Sequence, residues 1–185
     1  MDSIICKICS KPVEEKEHSI FISSDAFPSN HRLSAYCDKP LHLDCIARWP
    51  FRIEFSSASY DLRVEQYLGS GWYIIARQED WFVGFIPPGP EMAPPEGMED
   101  LVEVRVRDWP LVLYGHAEKW SEFLQRGWQD FEPPLRGKAL IRAAKTVREV
   151  QQVLPDTNTI VEIINERLKQ SKAENPAPVE EPGQF

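Results

Sequence analysis

An α+β fold, with an N-terminal zinc finger packed on a small antiparallel sheet and flanking helices, is predicted by three features of this sequence. All four cysteines lie between positions 6 and 45, at spacings that suit one metal ion. The middle of the chain sets short aromatic and β-branched runs between polar turns, as paired strands do. Around that block, apolar residues recur at three and four positions, the period of helices lying on a core.

The chain has 185 residues, enough for one ordinary domain with a small metal-held appendage. No apolar run approaches the 18 or so residues that a membrane-spanning helix needs. Met1-Asp2-Ser3-Ile4-Ile5-Cys6 has no basic segment leading into a long apolar core, so the expected location is cytoplasmic. In a reducing cytosol, clustered cysteines favour metal ligation over disulfides. A net charge of −8 argues against a general nucleic-acid binder, which needs positive surface to displace counterions.

Cys6-x2-Cys9 forms a first knuckle, with Ile5 and Ile8 beneath it and a turn at Lys11-Pro12. Ser19 to Ser23 reads as a short strand, Asp25 to Arg32 as a loop, and Leu33 to Cys37 as the returning strand. Leu41 to Trp49 reads as a helix with Leu43, Ile46 and Trp49 on one side. Pro50 breaks it or begins a second helix, at a position where the missing amide costs nothing. Phe51 to Leu68 carries a helical stripe of Phe51, Phe55, Ala58, Leu62 and Tyr67, against the weak propensity of Ser56, Ser57 and Ser59. Gly69-Ser70-Gly71 ends it.

Trp72 to Arg77 and Trp81 to Ile86, joined by Gln78-Glu79-Asp80, read as a hairpin. Residues 87–100 hold five prolines and four acids and read as an exposed loop. Leu101 to Arg107 alternates strictly, which puts Val102, Val104 and Val106 on a buried face and Glu103, Arg105 and Arg107 on a wet one. Asp108-Trp109-Pro110 interrupts before a further strand at Leu111 to Tyr114. Ala117, Trp120, Phe123 and Leu124 make a short helical stripe closed by Gly127, and Phe131 to Gly137 is a connector. Ala139 to Leu154 and Thr159 to Gln170 read as helices, the second capped by Asp156 or Thr157. The expected organisation is a zinc finger over 1–50, an α+β domain over 51–170 and a disordered tail over 171–185.

Cys6-x2-Cys9 and His42-x2-Cys45 are two complete metal bites: each pair can hold one ion from a single tight turn or the first turn of a helix. Together they make the simplest tetrahedral set for a structural zinc ion, with Cys37 left as a core thiol. An all-cysteine site using Cys37, with His42 turned to a backbone carbonyl, is the alternative. Four ligands rich in thiolate leave no open position and donate too much charge to activate water, so the zinc is structural rather than catalytic.

The pattern C-x2-C, a long gap and H-x2-C resembles the first zinc module of LIM domains. With Cys37 included, C-x2-C…C-x4-H-x2-C is similar to the first half of a RING finger. Both are treble-clef-like, and the resemblance covers residues 6–45. No cysteine follows Cys45, so the second zinc module of either family is missing. Ubiquitin-ligase activity, which belongs to the complete two-zinc RING, is therefore not implied. The run from Cys37 to Pro50 is also similar to uncharacterised bacterial proteins with an N-terminal finger.

The sequence has no phosphate-binding G-x4-G-K-[ST] loop, no H-E-x2-H and no G-x-S-x-G. Asp44 reads as a helix-start carboxylate and His116, near Glu118, as a capping or surface residue. The six tryptophans read mainly as core anchors, with Trp81 and Trp109 as candidates for a partner-binding edge. The leading expectation is a non-enzymatic interaction or regulatory protein, in its specific form an immunity- or inhibitor-like mask for a basic partner. An enzyme with an unrecognised site and a nucleic-acid binder acting through the finger are the alternatives.

Overall fold

A computed structural model describes residues 4–13, 19–20, 22, 27–69, 72–85, 101–126 and 135–174. Strands β1 (Ser19–Ile20) and β2 (Leu41–His42) pair antiparallel, Ser19 against His42 and Ile20 against Leu41. Helix α1 (Leu43–Arg48) follows β2 directly, and α2 (Arg52–Gly69) begins two residues after the Pro50 position. Then come β3 (Tyr73–Arg77), β4 (Trp81–Phe85), β5 (Leu101–Val106) and β6 (Val112–His116). Helices α3 (Trp120–Arg126), α4 (Gly137–Val153) and α5 (Thr157–Glu174) complete the described chain.

The main sheet is antiparallel in the order β3-β4-β5-β6, with a register irregularity between Ile74 and Ala76. The α+β class is therefore as expected. One face carries Val83, Phe85, Val102, Val104 and Leu113, buried in the main core with residues of α3, α4, α5 and the N-terminal segment. That core runs without a break from Leu33, Leu41, Ile46 and Trp49 through the sheet to Ile160. The opposite face carries Phe82, which packs with Tyr60, Val64 and Tyr67 of α2.

Several local readings are corrected. Residues 33–37 are not a strand: Ser34–Tyr36 is a 3-10 turn. Ser34 donates its hydroxyl to the His31 carbonyl at 2.7 Å, and the amides of Tyr36 and Cys37 bond back to Leu33 and Ser34, so this backbone is satisfied locally. The partner of β1 is instead Leu41–His42, which delays the start of the helix to Leu43. Helix α5 reaches Glu174, past the expected end at Gln170. The loop at 87–100, Gly127 and residues 131–134 of the 131–137 connector lie outside the described residues.

The polar face of β5 is also different from its expectation. Glu103 is only 3% exposed because α2 lies over it. Arg63 of α2 donates from Nε and Nη2 to the two Glu103 carboxylate oxygens at 3.0 and 3.3 Å, and Arg105 donates from Nε at 3.0 Å. Burial alone would raise the Glu103 carboxyl; Arg105 and Arg63 outweigh it and hold it below the usual carboxylate range. Trp81 and Trp109, expected at a partner-binding edge, are 1% and 3% exposed and belong to the core.

The helices are pinned at their ends. Asp156 caps α5 by accepting from the Thr159 amide at 2.9 Å, while Thr157 and Ser121 exchange amide-to-hydroxyl bonds of 3.0 Å that join the starts of α5 and α3. The Trp120 indole N–H donates to the Leu154 carbonyl at 3.0 Å, tying α3 to the end of α4. Arg142 of α4, nearly buried, donates to Asp108 at 2.6 Å and to Asp80 at 2.7 Å, locking the β3–β4 turn to the end of β5.

Candidate metal centre

Cys6 and Cys9 sit in a tight turn whose flanks are bridged at Ile5 and Pro12. The Cys6 amide donates to the Lys11 carbonyl, and the Ser10 amide to the Cys6 carbonyl, each at 2.8 Å. Closing this turn places Ser10 at φ 59°, a left-handed conformation that few side chains adopt. The second pair comes from the β2–α1 junction, where His42 is the residue before α1 and Cys45 lies in its first turn. Residues three apart there fall on one helical face. The two halves are joined by backbone: the Lys7 amide donates to the Pro40 carbonyl at 3.2 Å.

The ligand atoms of Cys6, Cys9, His42 and Cys45 all lie within 4.8 Å of one another. His42 Nδ1 is 3.4 Å from the Cys9 sulfur and 3.6 Å from the Cys45 sulfur. A tetrahedral ion with bonds of about 2.3 Å to sulfur and about 2.0 Å to nitrogen separates its ligand atoms by about 3.5 to 3.8 Å. The arrangement is therefore compatible with a metal such as zinc. It includes both bites that the spacing indicated. Cys37 lies apart from this group: its buried thiol donates to the Leu33 carbonyl at 4.0 Å within the main core.

Electrostatics at the site favour a cation. Burial raises the fully buried Cys6 thiol, but the amides of His42, Cys9 and Ile8 outweigh it and lower the thiol to about 7. Burial, then the hydrogen bond and charge of the adjacent Cys9 and Cys6, push Cys45 up to about 12. Three sulfurs this close cannot all be thiolates without a positive charge among them, and a divalent ion supplies it. The His42 amide, 3.4 Å from the Cys6 sulfur, already donates to one of the three.

Residue type and spacing mark the ligand-type residues, but not Lys7, Pro40 and Ser10, whose backbone bonds shape and join the two bites. Only the left-handed turn at Ser10, one residue after the C-x2-C pair, had a local signature, and a serine there hides it. Comparison with models of known protein families, with characterised proteins and with solved structures finds no match. Among the described residues, no helix is long and apolar enough to cross a membrane.

Proposed function

We propose that Cys6, Cys9, His42 and Cys45 hold one structural zinc ion, and that the protein is a non-enzymatic binding or regulatory protein. The observation carrying this reading is the convergence of two bites 33 residues apart, Cys9 and His42, to a separation of 3.4 Å. Four protein ligands fill the tetrahedron and leave no place for an activated water. We read the first knuckle, the β1–β2 pair and α1 as a treble-clef-like module that delivers Leu41, Ile46 and Trp49 to the core. Reduced thiols suit a cytoplasmic location. The partner we infer is a basic protein, met by the net charge of −8 in the manner of an inhibitor or immunity protein.

Elemental analysis of the purified protein tests the centre: one equivalent of zinc is expected, and Cys45→Ser and His42→Ala should each retain far less. Absence of tightly held metal in anaerobically prepared protein would overturn it. Affinity capture tests the partner reading, with a single stoichiometric basic protein, released by salt, as the expected result. Salt-sensitive binding of DNA or RNA would replace that reading with nucleic-acid recognition.

A further inference from the structure

Helix α2 covers only part of its sheet face. The strand register places Arg105 opposite Val112 and Glu103 opposite Tyr114, so β5 and β6 continue the same face beyond the helix. A cleft of about 360 Å³ opens there between α2, β5, β6 and the Trp109–Leu111 segment. This volume is at the lower end of the range for small-molecule sites, about 300 to 1,000 Å³. Ser59, Tyr60, Arg105, Trp109, Val112 and Tyr114 are among its walls.

The charges in this cleft are built, not incidental. Arg63 is fully engaged, with Nε and Nη2 on Glu103 and Nη1 on Gln66 at 3.1 Å. Arg105 gives only Nε to Glu103 and has no other hydrogen bond to a described residue. Its guanidinium is thus held in place by a buried carboxylate, and neither Nη1 nor Nη2 bonds to a described residue. Two guanidinium charges against one carboxylate leave a single positive charge. Nearby Arg107 is already matched by Asp61, at 3.0 Å to each oxygen.

We propose that this cleft binds a small organic monocarboxylate with an aromatic or apolar body. The carboxylate would take the fork of Arg105 end-on, the geometry in which a guanidinium recognises a planar two-oxygen anion. Its body would lie against Val112 and the exposed ring of Tyr114, both of which line the cleft. A dianionic phosphate is disfavoured, because the Glu103 carboxylate lies directly behind the Arg105 fork. The site is independent of the zinc reading, and either can fail alone.

The test titrates the intact protein with phenylacetate and indole-3-acetate, following backbone amide shifts by NMR, with phenylacetamide and inorganic phosphate as controls. Saturable binding of the two acids is expected, with shifts at Ser59, Arg105 and Val112, and binding of the amide weaker by about tenfold or more. Arg105→Lys should weaken the acids by a similar factor, since a lysine ammonium offers no planar fork. Val112→Trp, which fills the cleft from an edge strand without removing a charged group, should do the same, and it decides the matter alone if the arginine variant does not fold. Failure of both acids to saturate at about 10 mM, equal binding of the amide, or unchanged affinity in Val112→Trp would each overturn the proposal.

Discussion

At Cys6 and Cys45, neighbouring sulfurs acquire opposite proton affinities, lowered to about 7 in one case and raised to about 12 in the other. Metal binding turns every ligand thiol into a thiolate, so the ion must displace the Cys45 proton at neutral pH and, below about 7, a Cys6 proton as well. Apparent zinc affinity should therefore rise with pH, most steeply on the acid side. Competition with a chromophoric chelator between about pH 6 and 8 measures this, and a flat profile would exclude the thiols as ligands. Glu103 has the opposite kind of balance. Its folded carboxyl titrates below its unfolded one, so its stabilisation is complete above the ordinary carboxyl range, about pH 4.3, and fades as the pH falls through the lowered folded value. Glu103→Gln should cost about 3 kcal/mol at neutral pH, by leaving two largely buried arginines without their shared counter-charge. The difference from the parent should shrink in acid, as denaturant titration at two pH values would show. The candidate ligand residues were legible from spacing, with Cys37 left open beside His42. Glu103 was not, since alternation places it on a polar face without saying that a helix covers that face.

Gly84 shows what α2 requires of the sheet. It lies in β4, and a β-carbon added there would overlap the Tyr67 ring. The missing side chain is what lets the ring approach the strand backbone. Gly84→Ala should destabilise by about 2 kcal/mol through overpacking. Adding Tyr67→Leu should recover part of this loss, whereas Tyr67→Phe should not, because the ring atoms that meet the new methyl remain. Thermal unfolding of the three variants checks the order. Element type was readable wherever an apolar period ran long, as in α2, α4 and β5. It failed at residues 33–37, where Leu-Ser-Ala-Tyr-Cys has strand-like composition. The Ser34 hydroxyl and three short-range backbone bonds satisfy a 3-10 turn there, and no described residue pairs with it as a strand.

Through its second knuckle the candidate metal centre is continuous with the main core. Leu41 and Ile46 bracket His42 and Cys45, are both fully buried, and share one apolar cluster with Val104, Trp120 and Ile160. Loss of the ion should consequently be felt throughout the molecule. With free zinc at about a thousand times its Kd, the bound ion stabilises the fold by about 4 kcal/mol. Chelation should then lower the midpoint of unfolding by about 10 °C in a chain of this size. Calorimetry with and without a chelator should show one shifted transition; an unchanged midpoint would mean that no tightly bound ion supports the fold.

Residue type and spacing were enough to point to an α+β chain with a two-bite metal site, because ligand chemistry and apolar period are local properties written along the backbone. They could not choose between Cys37 and His42 as a companion of Cys45, since 27 residues separate Cys9 from Cys37 and a loop of that length can deliver either side chain. Packing made the choice: Leu33 and the 3-10 turn draw Cys37 into the apolar core, while pairing of β2 with β1 turns His42 toward the other sulfurs. The burial of Glu103 and the free fork of Arg105 arose in the same way. Both depend on where α2 lies across the sheet, which is a relation between segments some 40 residues apart and has no local signature.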